Sequence, residues 1–523
     1  MEYRDLREWI EKIEKIGELR RLNGADWNLE IGTVTELVNR STGPAVLFDE
    51  IKGYPRGHRV LTNSLGSLKR LSLTMGLPLD LDTMGFVKAW RDRAKELKPI
   101  APHVVKNGPV LENVQQGKDV DLLKFPTPFW HHLDGGRYIG TGCLDITRDP
   151  DEGWVNLGTY RIMLHDKNTV GFYISPGKHG RIMREKYFSR KEPFKIAISV
   201  GQDPLLFVAS SLEIPWAYSE YEWVGAVRGE PVEVIEGPWS GLPIPAHAEI
   251  VLEGEVSGTD LRDEGPFGEW TGYYGSDMRA EPTIKIHSVL HRNDPIILGS
   301  PPNRPPSDAT FFRCFIRSAM LWDQVEKAGV PDVKGVWQHQ AGGSRLFTVI
   351  AIKQRYPGHA RQAAVCAAQC HAGAYLGRFT VVVDDDIDIS NTDDVLWAIC
   401  TRCDPERDID IIRRTWSGPL DPIIPKERRG LAPGDRRRLP PVRVDERVPG
   451  GLGGDPRDAG RRHEEVGRAP VRPRPVVARW PPAARRAAGG AAGREGLPDP
   501  FHQACRAQAI PGAANHVRAP LRP

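Results

Sequence analysis

Between residues 111 and 310 the chain offers mostly short apolar runs cut by Gly, Pro, Asn and Asp. CLDIT (143–147) and WVNLGTYRIMLH (154–165) flank RDPDEG, a hairpin signature. The second run meets DKNTVG and continues as FYISP; FKIAISVG, HAEIVLEGEV and TIKIHSVLHR follow. Many short strands punctuated in this way build a barrel or a sandwich. Whatever else the chain contains must be arranged around that β core.

The flanks read differently. Leu6, Trp9, Ile10, Ile13 and Ile16 recur at three and four, an amphipathic helix stopped by Gly17. A strand at PAVLFDEI and a helix near MGFVKAWRDRAKEL complete a mixed α/β region over 1–110. Residues 311–330 read as a linking helix with Gly329 as its stop, and 331–430 return to α/β through FTVIAI, ARQAAVCAAQCHAGAYL, FTVVVD and DDVLWAICTR. The expected class is α+β, with no internal repeat.

The 523 residues leave room for two or three domains, and 40% apolar with 27% charged residues is a globular composition. No apolar run reaches the ~18 residues of a membrane span. The start is too charged for a secretory signal, so a cytoplasmic chain with reduced thiols is expected. CAAQCH and CTRC allow a zinc site on paper, but each lies in a helical pattern of core composition. The acids of DDDIDI (384–389) follow VVV and read as a solvated strand end.

The net charge of +3 is unevenly spread. Residues 431–523 hold 18 Arg, no Lys and nine acids, which leaves the tail at +9 and the rest at −6. All 20 lysines lie in the first 430 residues. An abrupt switch to Arg, Pro, Gly and Ala is what a GC-rich gene yields when read out of frame. The tail is therefore expected to be an aberrant, disordered frameshift product; an intact mass for native protein that includes these residues would sink that idea. A solvated basic linker and a nucleic-acid arm are the other readings.

Two acids, Glu264 and Glu269, lie five apart in EGPFGEWTGYYG. Strand neighbours would diverge, but Gly265, Pro266 and Gly268 permit a fold-back that brings both acids to one cavity. Trp270, Tyr273 and Tyr274 are expected as apolar walls that raise a carboxyl pKa toward neutrality. The plainer alternative is a surface turn with two solvated acids. Arg161 ends N-L-G-T-Y-R, late in a hydrophobic strand, where a guanidinium needs a partner and suits a carboxylate. His179 sits in SPGKHGRIM, and Ser210, Ser211, Glu220 and Glu222 in SSLEIPWAYSEYEWVGAVRG. Each alone reads equally as an ordinary salt bridge, surface His or loop acid.

Taken in order, N-x-x-x-x-R, G-x-H-G, S-S-x-x-I-P with E-x-x-x-V-G-A, E-G-P-F-G-E and VVVDDDIDI…DVLWA resemble the UbiD family of decarboxylases, up to about Gly430. The resemblance implies a split β-barrel over 111–310 that binds prenylated FMN, followed by a linking helix and an α/β oligomerisation domain. It implies Asn156, His179 and Glu220 as ligands of a divalent metal, usually manganese, on the flavin phosphate. Glu222 competes, but only Glu220 keeps the step to Val224 and Gly225. Thr159, Tyr160, Arg161, Ser210, Ser211 and Leu212 match flavin-contacting positions, with potassium nearby. Arg161, Glu264 and Glu269 match the catalytic Glu–Arg–Glu network, with Glu269 as proton donor. The implied substrate is a small aromatic or α,β-unsaturated carboxylic acid, and the implied partners are a flavin prenyltransferase and further copies of the chain; no membrane or nucleic acid is expected. At its C-terminus the sequence departs from the family, whose continuation is recoverable only in the shifted frame. A flavin reductase using ordinary FMN and a nucleic-acid-binding protein acting through the tail are the alternatives.

Overall fold

The structure, a computed structural model, describes residues 3–424 except 276, 414 and 419. The 431–523 stretch, with the frameshift expectation attached to it, lies outside the described residues.

The N-terminal helix, Leu6–Lys15, is capped by Asp5, whose carboxylate accepts from Glu8 N at 3.0 Å. It buries Leu6, Trp9, Ile10 and Ile13, each worth roughly 1.5–3 kcal/mol on burial. Gly17 follows at φ +75°. Beyond it a four-stranded sheet runs in the order Leu19–Asn23, Ala45–Asp49, Arg59–Thr62, Ile296–Gly299. Its last strand comes from much later in the chain and pairs in parallel with Arg59–Thr62. That pairing ties the first region to the second.

The middle of the chain is a nine-stranded sheet. Eight strands follow one path: Arg137–Gly140, Ile162–Asp166, Thr169–Phe172, Arg279–His291, Ile250–Glu264, Phe194–Ser199, Leu144–Arg148 and Val155–Gly158. Asn113–Gln116 adds to the long strand Arg279–His291. The edges of the path, Arg137–Gly140 and Val155–Gly158, do not pair with each other, so the sheet is a half-barrel. The expected hairpin is present, with Leu144–Arg148 antiparallel to Val155–Gly158. One expectation fails. The run 154–165 is not one strand but two, broken at 159–161: Val155–Gly158 is the last strand of the sheet path, and Ile162–Asp166 is second from the other end. Tyr138, Ile162, Phe172, Ile196, Leu252, Phe267 and Ile284 belong to one core on this sheet.

Asp308–Lys327 is the long helix expected near 311–330, with a capping box of Ser307 and Thr310 and with Gly329 beyond its end. It packs on a three-stranded sheet ordered Val333–Gln338, Phe347–Ile352, Phe379–Asp384. The expected helix over 360–376 breaks at Cys370 into His359–Gln369 and His371–Ala374. No described helix is long and apolar enough to cross a membrane.

Candidate active site

The break after Gly158 places the first functional candidate. Thr159 and Tyr160 turn their amides away from the strand ladder: Thr159 N donates to Ser210 O at 3.1 Å, and Tyr160 N to Asp145 Oδ2 at 2.7 Å. Backbone donors satisfied in this way need no neighbouring strand, so the chain can turn a corner. Arg161 therefore leaves from a corner, not from within a strand as the sequence suggested. Asp145 is fully buried, and burial pushes its carboxyl up to about 8.

Arg161 gathers both acids of EGPFGEWTGYYG. Its Nε and NH2 donate to Glu264 Oε1 and Oε2 at 2.8 and 2.6 Å, and its NH1 donates to Glu269 Oε1 at 2.8 Å. All three side chains are buried, with 8%, 0% and 9% exposed. Gly265 makes the fold-back possible at φ +81°, a conformation strained for other residues. Burial pushes Glu269 up to about 7, against the pull of Arg161 and with help from Glu264. For Arg161, burial disfavours the charge, but the two carboxylates outweigh it and hold the guanidinium ionised.

The walls differ from expectation. Trp270 is half-buried, Tyr273 is 63% exposed, and Tyr274 turns its hydroxyl to accept from Leu133 N at 3.0 Å. Phe267 instead lies inward, its ring 5.4 Å from the Arg161 guanidinium carbon. Tyr138 packs on Phe267 at 4.0 Å and donates to Glu264 Oε1 at 3.1 Å. Tyr173 lies 4.5 Å from the same guanidinium, and Arg279 stacks on Tyr173 at 3.9 Å. Phe267 lies within the EGPFGEWTGYYG stretch itself, where Trp270, Tyr273 and Tyr274 were the expected walls; Tyr138 and Tyr173 were not legible, because they come from distant parts of the chain and carry no local motif.

A second group of candidates is tied to this corner by hydrogen bonds. Glu220, the first residue of the helix Glu220–Arg228, accepts through Oε2 from Leu157 N at 2.7 Å, next to Asn156. Tyr160 accepts through its hydroxyl from Gly180 N at 3.1 Å, next to His179, while the Asn156 amide donates to Thr147 Oγ1 at 3.3 Å. His179 packs between Trp154 and Trp216 at 5.7 and 5.2 Å. Burial and Lys178 push its imidazole pKa down, so a ring nitrogen keeps its lone pair. Glu220 is 3% exposed and meets no cationic side chain among the described residues; burial pushes it up to about 8. Glu222 is only half-buried. A buried carboxylate lacking a cation, an amide and a neutral imidazole form a donor set that fits a hard divalent metal. Among the described residues no three His, Cys, Asp or Glu side chains cluster as a metal site.

Thr159 Oγ1 meets Ser210 Oγ at 2.7 Å and Ser211 Oγ at 3.2 Å, a patch of hydroxyls beside half-buried Leu212. Sequence reasoning missed the cations around Glu213. Glu213 Oε2 accepts from Arg317 NH1 at 2.6 Å, Arg345 meets its other oxygen, and Lys178 Nζ stands 3.9 Å away. Beside Glu213, burial pushes the guanidinium pKa values of Arg313 and Arg317 down to about 10. The i,i+4 spacing of Arg313 and Arg317 on one helix face was the available signal.

Three domain families cover nearly all of the described chain. The N-terminal, Rift-related and C-terminal domains of 3-octaprenyl-4-hydroxybenzoate carboxy-lyase match residues 10–90, 103–305 and 310–435. The chain belongs to the UbiD family.

Pyrrole-2-carboxylic acid decarboxylase of Pseudomonas aeruginosa is 34% identical over 448 residues, 83% of this chain and 90% of that protein. Among solved structures, vanillic acid decarboxylase of Sedimentibacter hydroxybenzoicus is similar at 32% identity and TM-score 0.73, covering 81% of this chain and 89% of that one. The UbiD-class enzyme HmfF of Pelotomaculum thermopropionicum, in complex with FMN, is similar at 29% identity and TM-score 0.73, covering 80% and 91%. An evolved dimeric form of HmfF, in complex with prenylated FMN, has a TM-score of 0.70. As a UbiD-family member the chain is a carboxy-lyase, and the flavin-reductase and nucleic-acid readings fall away.

Proposed function

We propose that this chain decarboxylates an aromatic or α,β-unsaturated carboxylic acid without net oxidation, in a reaction that can run reversibly, and that Arg161, Glu264 and Glu269 carry the chemistry. The observation behind this is one buried guanidinium shared by two buried carboxylates, one of them poised near neutrality.

Glu264 holds Arg161 by both oxygens and fixes the guanidinium plane. Arg161 then presents a cation to the substrate carboxylate, while Tyr138, Tyr173 and Phe267 exclude water from the ring it carries. The bond to the carboxylate carbon breaks and carbon dioxide leaves. Prenylated FMN, when bound, supplies the electron sink for that departure. Glu269, protonated, delivers its proton to the carbon that lost carbon dioxide and takes another from solvent. With a pKa of about 7 it is near the optimum for a group that gives and regains a proton at neutral pH.

Asn156, His179 and Glu220 would hold a divalent cation, manganese by family usage, against the flavin phosphate; the cation-free burial of Glu220 supports this. Thr159, Tyr160, Ser210, Ser211 and Leu212 would line the flavin, with a potassium ion near Ser210 and Ser211. The half-barrel serves in this account as the flavin-binding split barrel over 111–310, between the 1–110 region and the helix at 311–330. Residues 331–430 would serve oligomerisation. A cytoplasmic flavin prenyltransferase would supply the cofactor.

Co-expression with such a prenyltransferase tests the proposal. The purified protein should carry the modified flavin's absorbance and release carbon dioxide from members of an aromatic and acrylic acid panel. Oxidation of NADPH with no carbon dioxide release would overturn it.

A further inference from the structure

The segment that carries Glu269 is gripped by a second loop, 131–135. Gly135 N donates to Pro266 O at 2.7 Å, and the two backbones are so close that a Cβ on Gly135 would stand 1.9 Å from Gly265 O. Asp134, its side chain fully buried, accepts from Gly268 N through Oδ1 at 2.9 Å. Its other oxygen accepts from His131 N at 3.0 Å and faces His131 Nδ1 at 3.1 Å. His131 Nε2 faces Asn303 Oδ1 at 2.8 Å, and the His131 ring lies flush on Gly268, where a Cβ would come within 2.8 Å of Nδ1. Both ring nitrogens thus face oxygens, and both donate when the ring is a cation.

We propose that Asp134 is a positioning residue for the proton donor: the Asp134–His131–Asn303 chain locks Gly268 and so sets where the Glu269 carboxyl points. The inference rests on the decarboxylase reading for its kinetic consequence, but the lock itself does not. No motif exposes it, because Asp134 acts on a backbone amide 134 residues away. Gly268 is the residue whose plane fixes the Glu269 amide, which donates onward to Tyr273 O at 3.0 Å. One carboxylate thus holds the residue beside the donor, while Glu264 shares the Arg161 guanidinium with Glu269. The charged groups that act most strongly on the Glu269 carboxyl are Arg161, Glu264 and Arg279, none of them in the 131–135 loop. Replacing Asp134 therefore changes the donor's placement without changing its charge partners.

The test compares Asp134→Ala and Asp134→Asn in holoenzyme with two readouts. The first is kinetic: a displacement of about 1 Å costs on the order of 10²-fold, so Asp134→Ala should lose about that in kcat while KM and flavin absorbance hold. Its solvent deuterium isotope effect should rise as proton delivery becomes limiting. Asp134→Asn keeps an acceptor for Gly268 N and should recover part of the loss. The second readout needs no turnover: the infrared carboxyl band of Glu269, assigned with Glu269→Gln, should titrate near pH 7 in the wild type and shift its frequency in Asp134→Ala. Should Asp134→Ala not fold, His131→Ala decides, with the same signature at smaller size. Equal losses in kcat and flavin retention, or an unmoved Glu269 band, would overturn the proposal. A wild-type protein that releases no carbon dioxide yet shows the band shift would sink the decarboxylase reading and leave the lock standing.

Discussion

Arg161 offers Glu264 two parallel donors, Nε to Oε1 at 2.8 Å and NH2 to Oε2 at 2.6 Å, inside a site where Glu264 is wholly buried. The remaining donor, NH1, reaches Glu269. A guanidinium is the side chain that can serve both acids at once with fixed angles. Arg161→Ala should leave two buried carboxylates without their cation and destabilise the fold by about 3–5 kcal/mol in urea titrations. Arg161→Lys should fold better than Arg161→Ala but lose most of kcat/KM, because an ammonium cannot fork. Equal stability of Arg161→Ala and wild type would contradict the burial and pairing described.

Glu269 sets a pH dependence with a definite sign. Its folded pKa, about 7, lies above that of an exposed Glu, near 4.3. The folded state therefore binds this proton more tightly, and the stability it contributes is complete below about pH 4 and lost as pH rises through about 7. Turnover by a protonated donor declines over the same rise. A kcat profile measured from pH 5 to 9 should fall with an apparent pKa near 7, and a profile rising through that window would contradict the donor assignment.

Asp145 gives a separate test away from the reacting atoms. Burial holds its carboxyl up to about 8, and its Oδ2 accepts from Tyr160 N and from the Cys143 thiol. A neutral carboxyl at pH 7 is mimicked by an amide. Asp145→Asn should match wild type near pH 4, where the carboxyl is neutral, and be the more stable of the two at pH 7, because it abolishes the stability decline between about pH 4 and pH 8 that this group causes. Thermal melts across that range, paired with wild type, check it.

The donor set at Asn156, His179 and Glu220 predicts linked losses. His179→Ala should be purified without manganese and without flavin, as read by metal analysis and absorbance after gel filtration. Retention of both would refute the assignment.

Much of this site was legible because its acids and its arginine lie in short runs whose order along the chain is distinctive. Glu264 and Glu269 could be joined in advance because Gly265 and Gly268 announce a fold-back. The walls could not. Phe267 comes in with the fold-back itself, but Tyr138 and Tyr173 are ordinary residues in or just beyond distant strands, and only the sheet order brings them to the site. The run 154–165 misled for the same reason. Its apolar pattern is continuous, and the corner at 159–161 comes from Asp145 and Ser210 capturing two amides, a tertiary event with no sequence period. Helix Leu6–Lys15 was readable because its packing face repeats along its own length.

The central claim is that Glu269 hands over the proton while contributing nothing indispensable to flavin binding. Glu269→Gln, co-expressed with a flavin prenyltransferase and purified beside wild type, measures this directly. The account predicts wild-type flavin absorbance and metal content with carbon dioxide release reduced to background in steady state. A variant that keeps turning over at a rate near wild type would contradict it.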